Sequence, residues 1–270
     1  MDTTRIIQIK PPFSYYGGKQ KMAKIILGHI PVHTLYGDPF LGGGAVFWAK
    51  EASEIEVIND TNRELMNFYR VVKNDFASIE KEVRISLHNR DLHRQAHVIY
   101  TNPDMFSEIK RAWAVWVLAA QSFSAILDGS FGYDITAGRT SRVIGNKRSS
   151  FTEKYAGRLQ NVTLECADAL YVIKSRDADS SFFYCDPPYY NSDCGHYDGY
   201  SKTDFEELLK VLSALKGKFL LSSYDSDLLR SYVESFGWSQ RREEMNISVN
   251  ARSGKCKPKT EVLTANYSLA

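Results

Sequence analysis

The chain has 270 residues, 43% of them hydrophobic and 24% charged, with a formal net charge of +2. That length suits one large domain, or a core domain carrying a smaller insertion, and is ample for a sizeable core. It holds no run of 18 apolar residues and its start, MDTTRIIQIKPPF, lacks the apolar stretch of a secretory signal, so no membrane span is expected and the cytoplasm is the expected location.

In chain order, Lys19 to His29 predicts an amphipathic helix that stops near Pro31. Leu35 to Phe40 predicts a short strand running into Gly42-Gly43-Gly44, then a helix from Ala45 to about Ala52. Glu56 to Ile58 predicts a second strand, closed by Asn59-Asp60. Strand, glycine turn, helix, strand and acid outline half of a nucleotide-binding α/β sheet. From Asn62 to Leu127 the pattern is mostly helical, with helices expected over Glu64–Lys73, Phe76 to about His97, and Asp104–Leu127. Trp113, Trp116, Val117 and Ala120 recur at helical spacing and read as core. Gly129 to Ser150, glycine-rich and polar, reads as a loop. Strands resume at Val162–Cys166, Ser181–Cys185, Lys218–Ser223 and Glu261–Tyr267. Helices over Ala167–Arg176, Lys202–Leu215 and Ser226–Phe236 fill the gaps. Alternating strands and helices predict a mainly parallel, doubly covered sheet, interrupted by an inserted helical domain.

The near-neutral total hides local clusters. Arg139, Arg142, Lys147, Arg148, Lys154 and Arg158 stand against the single acid Glu153, and Arg252, Lys255, Lys257 and Lys259 lie together near the C-terminus. Such clusters suit a phosphate backbone or a solvated loop equally on charge alone. Cys166, Cys185, Cys194 and Cys256 form no CxxC pair and read as free thiols. His93 and His97 lie four apart, but HRQAH lacks the glutamate of a zincin helix, and no metal site is expected.

Two stretches carry chemistry. In YGDPFLGGGAV a strand ends in glycines, which lets backbone approach a ligand closely, and Asp60 follows Asp38 by 22 residues, where an acid accepts hydrogen bonds from ribose hydroxyls. The lysine of a phosphate-binding P-loop is absent, which disfavours ATP hydrolysis. In SFFYCDPPYY an apolar run stops abruptly at Asp186, Pro187, Pro188 and Tyr189. Prolines cannot extend a ladder, so the strand ends there, at the sheet edge where open α/β sheets bind ligands. A carboxylate, a rigid prolyl carbonyl and an aromatic face together suit a planar base with an exocyclic amine. Asp186 and the Pro187 carbonyl would take its two hydrogens while Tyr189 stacks on the ring. Cys185 reads as a buried strand residue and not a nucleophile.

PFSYYGGKQKM, DPFLGGGAVF with VINDTNREL, and FFYCDPPYY, in that order, together with SFTEKYAGRLQNVTLECADAL, resemble the Dam-type family of adenine-N6 DNA methyltransferases over most of the chain. The resemblance implies a class I, Rossmann-like mixed sheet with helices on both faces, S-adenosylmethionine as cofactor and duplex DNA as partner. It implies a catalytic domain over 1–61 and 161–270 and a helical target-recognition insertion with a basic loop over 62–160. Tyr15, Lys19, Asp38, Phe40, Gly42, Gly44, Asp60, Asp168 and Asp186 would contact the cofactor, with Lys19 on its carboxylate and Asp60 on its ribose. Asp186 to Tyr189 would be catalytic. Arg139, Arg142, Lys147, Arg148 and Tyr197 are expected on DNA. Asn191 to Tyr200 reads as a loop over the base, where Tyr190, His196, Tyr197 and Tyr200 contact DNA or simply pack. The stretch AAQSFSAILDGSFGYDITAGRTSRVIGNKRSS departs from the family's asparagine- and arginine-rich segment, which leaves the target sequence open. Cytosine N4, whose amine presents the same two hydrogens, and a catalytically inactive DNA-binding relative stand as alternatives.

Overall fold

The computed structural model describes residues 9–135, 137–191, 200–245 and 259–269. Among them the strands are β1 (Leu35–Asp38), β2 (Ile55–Asn59), β3 (Val162–Glu165), β4 (Ser181–Cys185), β5 (Lys218–Tyr224), β6 (Ser239–Met245) and β7 (Lys259–Ala265). The helices are α1 (Ala23–His29), α2 (Ala45–Ala49), α3 (Arg63–Asn74), α4 (Phe76–Ile85), α5 (Arg90–Thr101), α6 (Glu108–Gln121), α7 (Arg139–Ser150), α8 (Lys154–Leu159), α9 (Ala169–Ser175), α10 (Lys202–Ser213) and α11 (Asp227–Phe236). The strands form one sheet in the order β3-β2-β1-β4-β5-β7-β6. β2 pairs with β3, β1 with β4, and β4 with β5 in parallel, while β7 runs antiparallel to both β5 and β6. The sheet is therefore mixed and Rossmann-like, as the resemblance implied. No helix among the described residues is long and apolar enough to cross a membrane.

Two compact units divide the chain: Met1–Gly28 with Leu41–Ala167, and His29–Phe40 with Asp168–Ala270. In the first, α6 is buried on nearly every side from Arg111 to Ala119, as expected of a helix at the centre of a core. Its Arg111 guanidinium forks onto Glu64 of α3 through two bonds of 2.7 Å. Asn62 starts α3, its Oδ1 accepting from the backbone N–H of Glu64 and Leu65. The expected helix from Phe76 to His97 is instead two. Ser86 leaves the helix, accepts from the indole of Trp113 and bonds back to the Glu82 carbonyl, and Asn89 caps α5. His93 is buried against the Ser122 hydroxyl at 2.8 Å.

The helix expected to reach Leu127 stops at Gln121. Beyond it Ser122 bridges to Phe131, and Ser124 and Ala125 adopt positive φ of 57° and 58°. The stretch expected as a loop holds α7. Asp134 accepts from the backbone N–H of Gly138 and Thr140, which organises the entry to that helix, and Ile144 is its one buried residue. A helix with a single apolar anchor has no hydrophobic period to betray it.

In the second unit β4 is buried along its whole length. Phe183 and Cys185 share a core with Phe205, Leu208, Leu212, Phe219 and Val262. β6, unforeseen, is the stretch SQRREEM at the sheet edge, a charged sequence of the kind that deters further pairing.

Candidate active site

In the first unit the glycine turn is shaped by tight contacts. Gly42 and Gly44 take positive φ of 51° and 66°, which side chains resist. A Cβ on Gly42 would stand 3.0 Å from the Tyr15 ring, and one on Gly43 would stand 2.7 Å from Tyr15 Cβ. Only glycine lets the turn lie flat against that tyrosine. Below it, Asp60 Oδ2 accepts from the Gly42 N–H at 2.9 Å and Oδ1 from the Asn62 N–H at 2.8 Å. Burial holds the Asp60 carboxyl above its ordinary value, and those two N–H groups offset only part of that rise. A carboxylate offers about four acceptor positions, so two bonds leave it capacity for ligand hydroxyls. Tyr69 of α3 holds the Gly42 carbonyl at 2.8 Å, a contact the sequence reading missed because Tyr69 looks like one more apolar-face residue. Lys19 follows the turn at Tyr15 to Gly18, and its Nζ donates to the Gly17 carbonyl at 3.3 Å.

In the second unit the switch in strand order falls between β1 and β4, the place where α/β sheets take ligands. Their register, Gly37 beside Phe183, brings Asp38 and Asp186 out at the same sheet edge. Asp38 is buried and its Oδ2 accepts from the Tyr36 hydroxyl at 3.0 Å. Phe40 packs against the core cluster. After β4, Pro187 is buried and the Tyr189 hydroxyl lies 3.1 Å from Asp186 Oδ1. The same hydroxyl also reaches Glu261 of β7. Tyr224 meets the Tyr189 ring edge-on, centroids 4.5 Å apart. Burial, then the charges of Asp186 and Glu261, push the Tyr189 phenol well above its ordinary range, so it stays protonated. Cys185 is fully buried, and burial with the Asp38 and Asp186 carboxylates raises its thiol far from reactivity.

Asp168 caps α9, accepting from the Tyr171 N–H at 2.9 Å, and is exposed. Arg139 and Arg142 are exposed on α7, while Lys147 and Arg148 are half-buried on its last turns. Arg148 reaches the Ser86 carbonyl at 3.3 Å, and burial lowers Lys147 to about 8, which leaves it largely charged at neutral pH. Tyr197, His196, Cys194 and the C-terminal cluster from Arg252 to Lys257 lie outside the described residues. Among the described residues no group of three His, Cys, Asp or Glu could hold a metal ion.

Known proteins resemble this chain over nearly its full length. It is 26% identical to the type II methyltransferase M.MjaIII of Methanocaldococcus jannaschii, covering 97% of this chain and 100% of that one. It is 23% identical to the type II methyltransferase M1.LlaDCHI of Lactococcus lactis subsp. cremoris, with 97% and 96% covered. It is 24% identical to the DNA adenine methylase of Escherichia coli K12, with 93% and 92% covered. The profile of the D12 class N6 adenine-specific DNA methyltransferases matches residues 15–247, a span that takes in the glycine turn, the helical stretch and the Asp-Pro-Pro-Tyr strand end. With the amine of adenine thus set above that of cytosine, the chain belongs to the D12 class of N6 adenine-specific DNA methyltransferases.

Proposed function

We propose that the chain transfers a methyl group from S-adenosylmethionine to the N6 amine of an adenine turned out of duplex DNA, with Asp186 to Tyr189 receiving the base. The supporting observation is the strand end itself: a fully buried β4 delivers Asp186 and Tyr189 in mutual hydrogen-bond reach at the topological switch of the sheet. S-adenosylmethionine, when bound, supplies an electrophilic methyl on a cationic sulfur. The residues of the first unit fit that ligand. Asp60 keeps acceptor capacity for ribose hydroxyls, Lys19 matches a carboxylate, and the Gly42–Gly44 turn with Tyr15 offers close backbone approach. Asp38, Phe40 and Asp168 complete the proposed set.

Asp186 and the Pro187 carbonyl each accept one hydrogen of the amine, which turns the nitrogen lone pair out of the ring plane. Tyr189 stacks on the base and so offsets part of the few kcal/mol that leaving the helix costs. As charge develops on the amine, the Asp186 carboxylate stabilises it. Holding the nitrogen at a near-attack distance of ~3–3.5 Å is the main contribution to rate. No covalent enzyme intermediate is required. Cys185→Ala is accordingly expected to leave the transfer rate within about twofold, at a stability cost of about 1 kcal/mol for a small buried deletion; a dead but folded variant would return Cys185 to the chemistry.

The helical stretch 62–160, with Arg139 and Arg142 exposed on α7, is proposed to contact DNA. Lys147, Arg148 and Tyr197 complete that proposed set. The cofactor reading is tested by calorimetric titration with S-adenosylmethionine. Gly42→Ala places a side chain at φ 51° and against Tyr15, a strain of about 1–3 kcal/mol. It is expected to weaken binding on the order of tenfold. Unchanged affinity would take the glycine turn out of the cofactor site.

A further inference from the structure

We infer that Glu261 is a positioning residue for the amine receptor. It draws the phenolic hydrogen of Tyr189 to itself and so keeps the phenol from occupying Asp186. This rests on the reading of Asp186 as the acceptor of the adenine amine.

Glu261 begins the apolar run of β7 and is only 7% exposed. Glutamate is seldom buried without a dedicated partner. Its Oε1 meets the Tyr189 hydroxyl, the group that also lies 3.1 Å from Asp186 Oδ1. A phenol carries one hydrogen and can give it to one carboxylate at a time. The two acids therefore compete for it. Donated to Asp186, it takes one of that carboxylate's roughly four acceptor positions and draws its negative charge toward the phenol, which weakens what the carboxylate offers the amine. Donated to Glu261, it removes that claim. Glu261 is fixed for the task by strand pairing: it sits directly opposite Tyr224 in the β5–β7 ladder, and Tyr224 is the residue whose ring meets Tyr189 edge-on. One cross-strand pair thus holds both the ring and the hydroxyl of Tyr189.

The arrangement predicts that one substitution rescues another. Glu261→Met fills the volume but accepts no hydrogen bond, so the phenol returns to Asp186. Transfer from labelled S-adenosylmethionine to duplex DNA without adenine methylation is expected to slow on the order of tenfold to a hundredfold in kcat, with KM for DNA little changed. Glu261→Gln, whose amide oxygen accepts the phenol, is expected to stay within about threefold of the unmodified protein. Tyr189→Phe deletes the competing hydrogen, so the double variant Tyr189→Phe with Glu261→Met is expected to be faster than Glu261→Met alone. A residue that served only the packing of β7 would show no such rescue. Glu261→Met at full rate, or a double variant no faster than Glu261→Met, overturns the inference. Asp186→Ala is run alongside. If it too retains full activity, the amine-receptor reading has failed; if it is inactive while Glu261→Met is unaffected, the role given to Glu261 alone has failed.

Discussion

Asp186→Ala is expected to lower methyl transfer by about 10²–10³ or more while the protein still folds and still binds S-adenosylmethionine. The size follows from what the carboxylate does: it is an acceptor placed where positive charge develops, and deleting one such group from a preorganised site costs about that factor. The fold should tolerate the change, because Asp186 stands past the last residue of β4 and the strand's burial does not depend on it. Circular dichroism, cofactor titration and single-turnover transfer on the same preparation check the three parts separately. Asp186→Asn is expected to be intermediate, since an amide oxygen still accepts a hydrogen but carries no charge. Substantial turnover by the alanine variant would remove Asp186 from the chemistry.

The largest expected effect on stability lies elsewhere, at Glu56. This β2 residue is almost fully buried between two cations. Lys50 Nζ lies 2.5 Å from its Oε1, and Arg158 reaches both carboxylate oxygens while stacking over Phe47 at 4.1 Å. Glu56→Ala takes the shared carboxylate from two buried cations, which keep neutral oxygens such as the Ser53 hydroxyl and the Phe47 carbonyl, and is expected to cost about 3–5 kcal/mol. At roughly 2–4 °C per kcal/mol for a protein of this size, Tm should fall by about 6–20 °C. The pH dependence has a definite sign. Burial pushes the Glu56 carboxyl up, but the Arg158 hydrogen bonds and the Lys50 charge outweigh it, so the folded value is depressed. The stabilisation is therefore complete above the ordinary carboxylate value of about 4.3 and disappears as pH falls through the lower, folded value. The difference in unfolding free energy between the unmodified protein and the Glu56→Gln variant should be flat from about pH 5 to 8 and shrink below about pH 4. A difference that grows in acid would contradict the charge assignment.

How much of this was legible in the residues depends on the kind of signal each element left. β4 was readable because a continuous apolar run is cut by prolines, and both facts have local physical causes. The glycine turn was readable because positive φ and close contact leave glycine few substitutes. The opposite cases are as instructive. β6 is rich in charge, since it forms an edge, and such an edge strand shows no apolar alternation. α7 buries only Ile144, so its helicity rests on the Asp134 cap and not on a hydrophobic face. Glu261 was invisible as a site residue because its importance arises from pairing with Tyr224, a residue of a different and distant strand segment. Non-local register of that kind leaves no mark on a single chain read in order. The same holds for Tyr69 and for the fork of Arg111 on Glu64, 47 residues apart.

The measurement that bears most directly on the whole account is the chemical identity of the methylated nucleoside. Duplex DNA incubated with the protein and labelled S-adenosylmethionine, then digested and separated, should carry its label in N6-methyldeoxyadenosine. Label in N4-methyldeoxycytidine, or none in DNA from a protein that binds the cofactor, would contradict it.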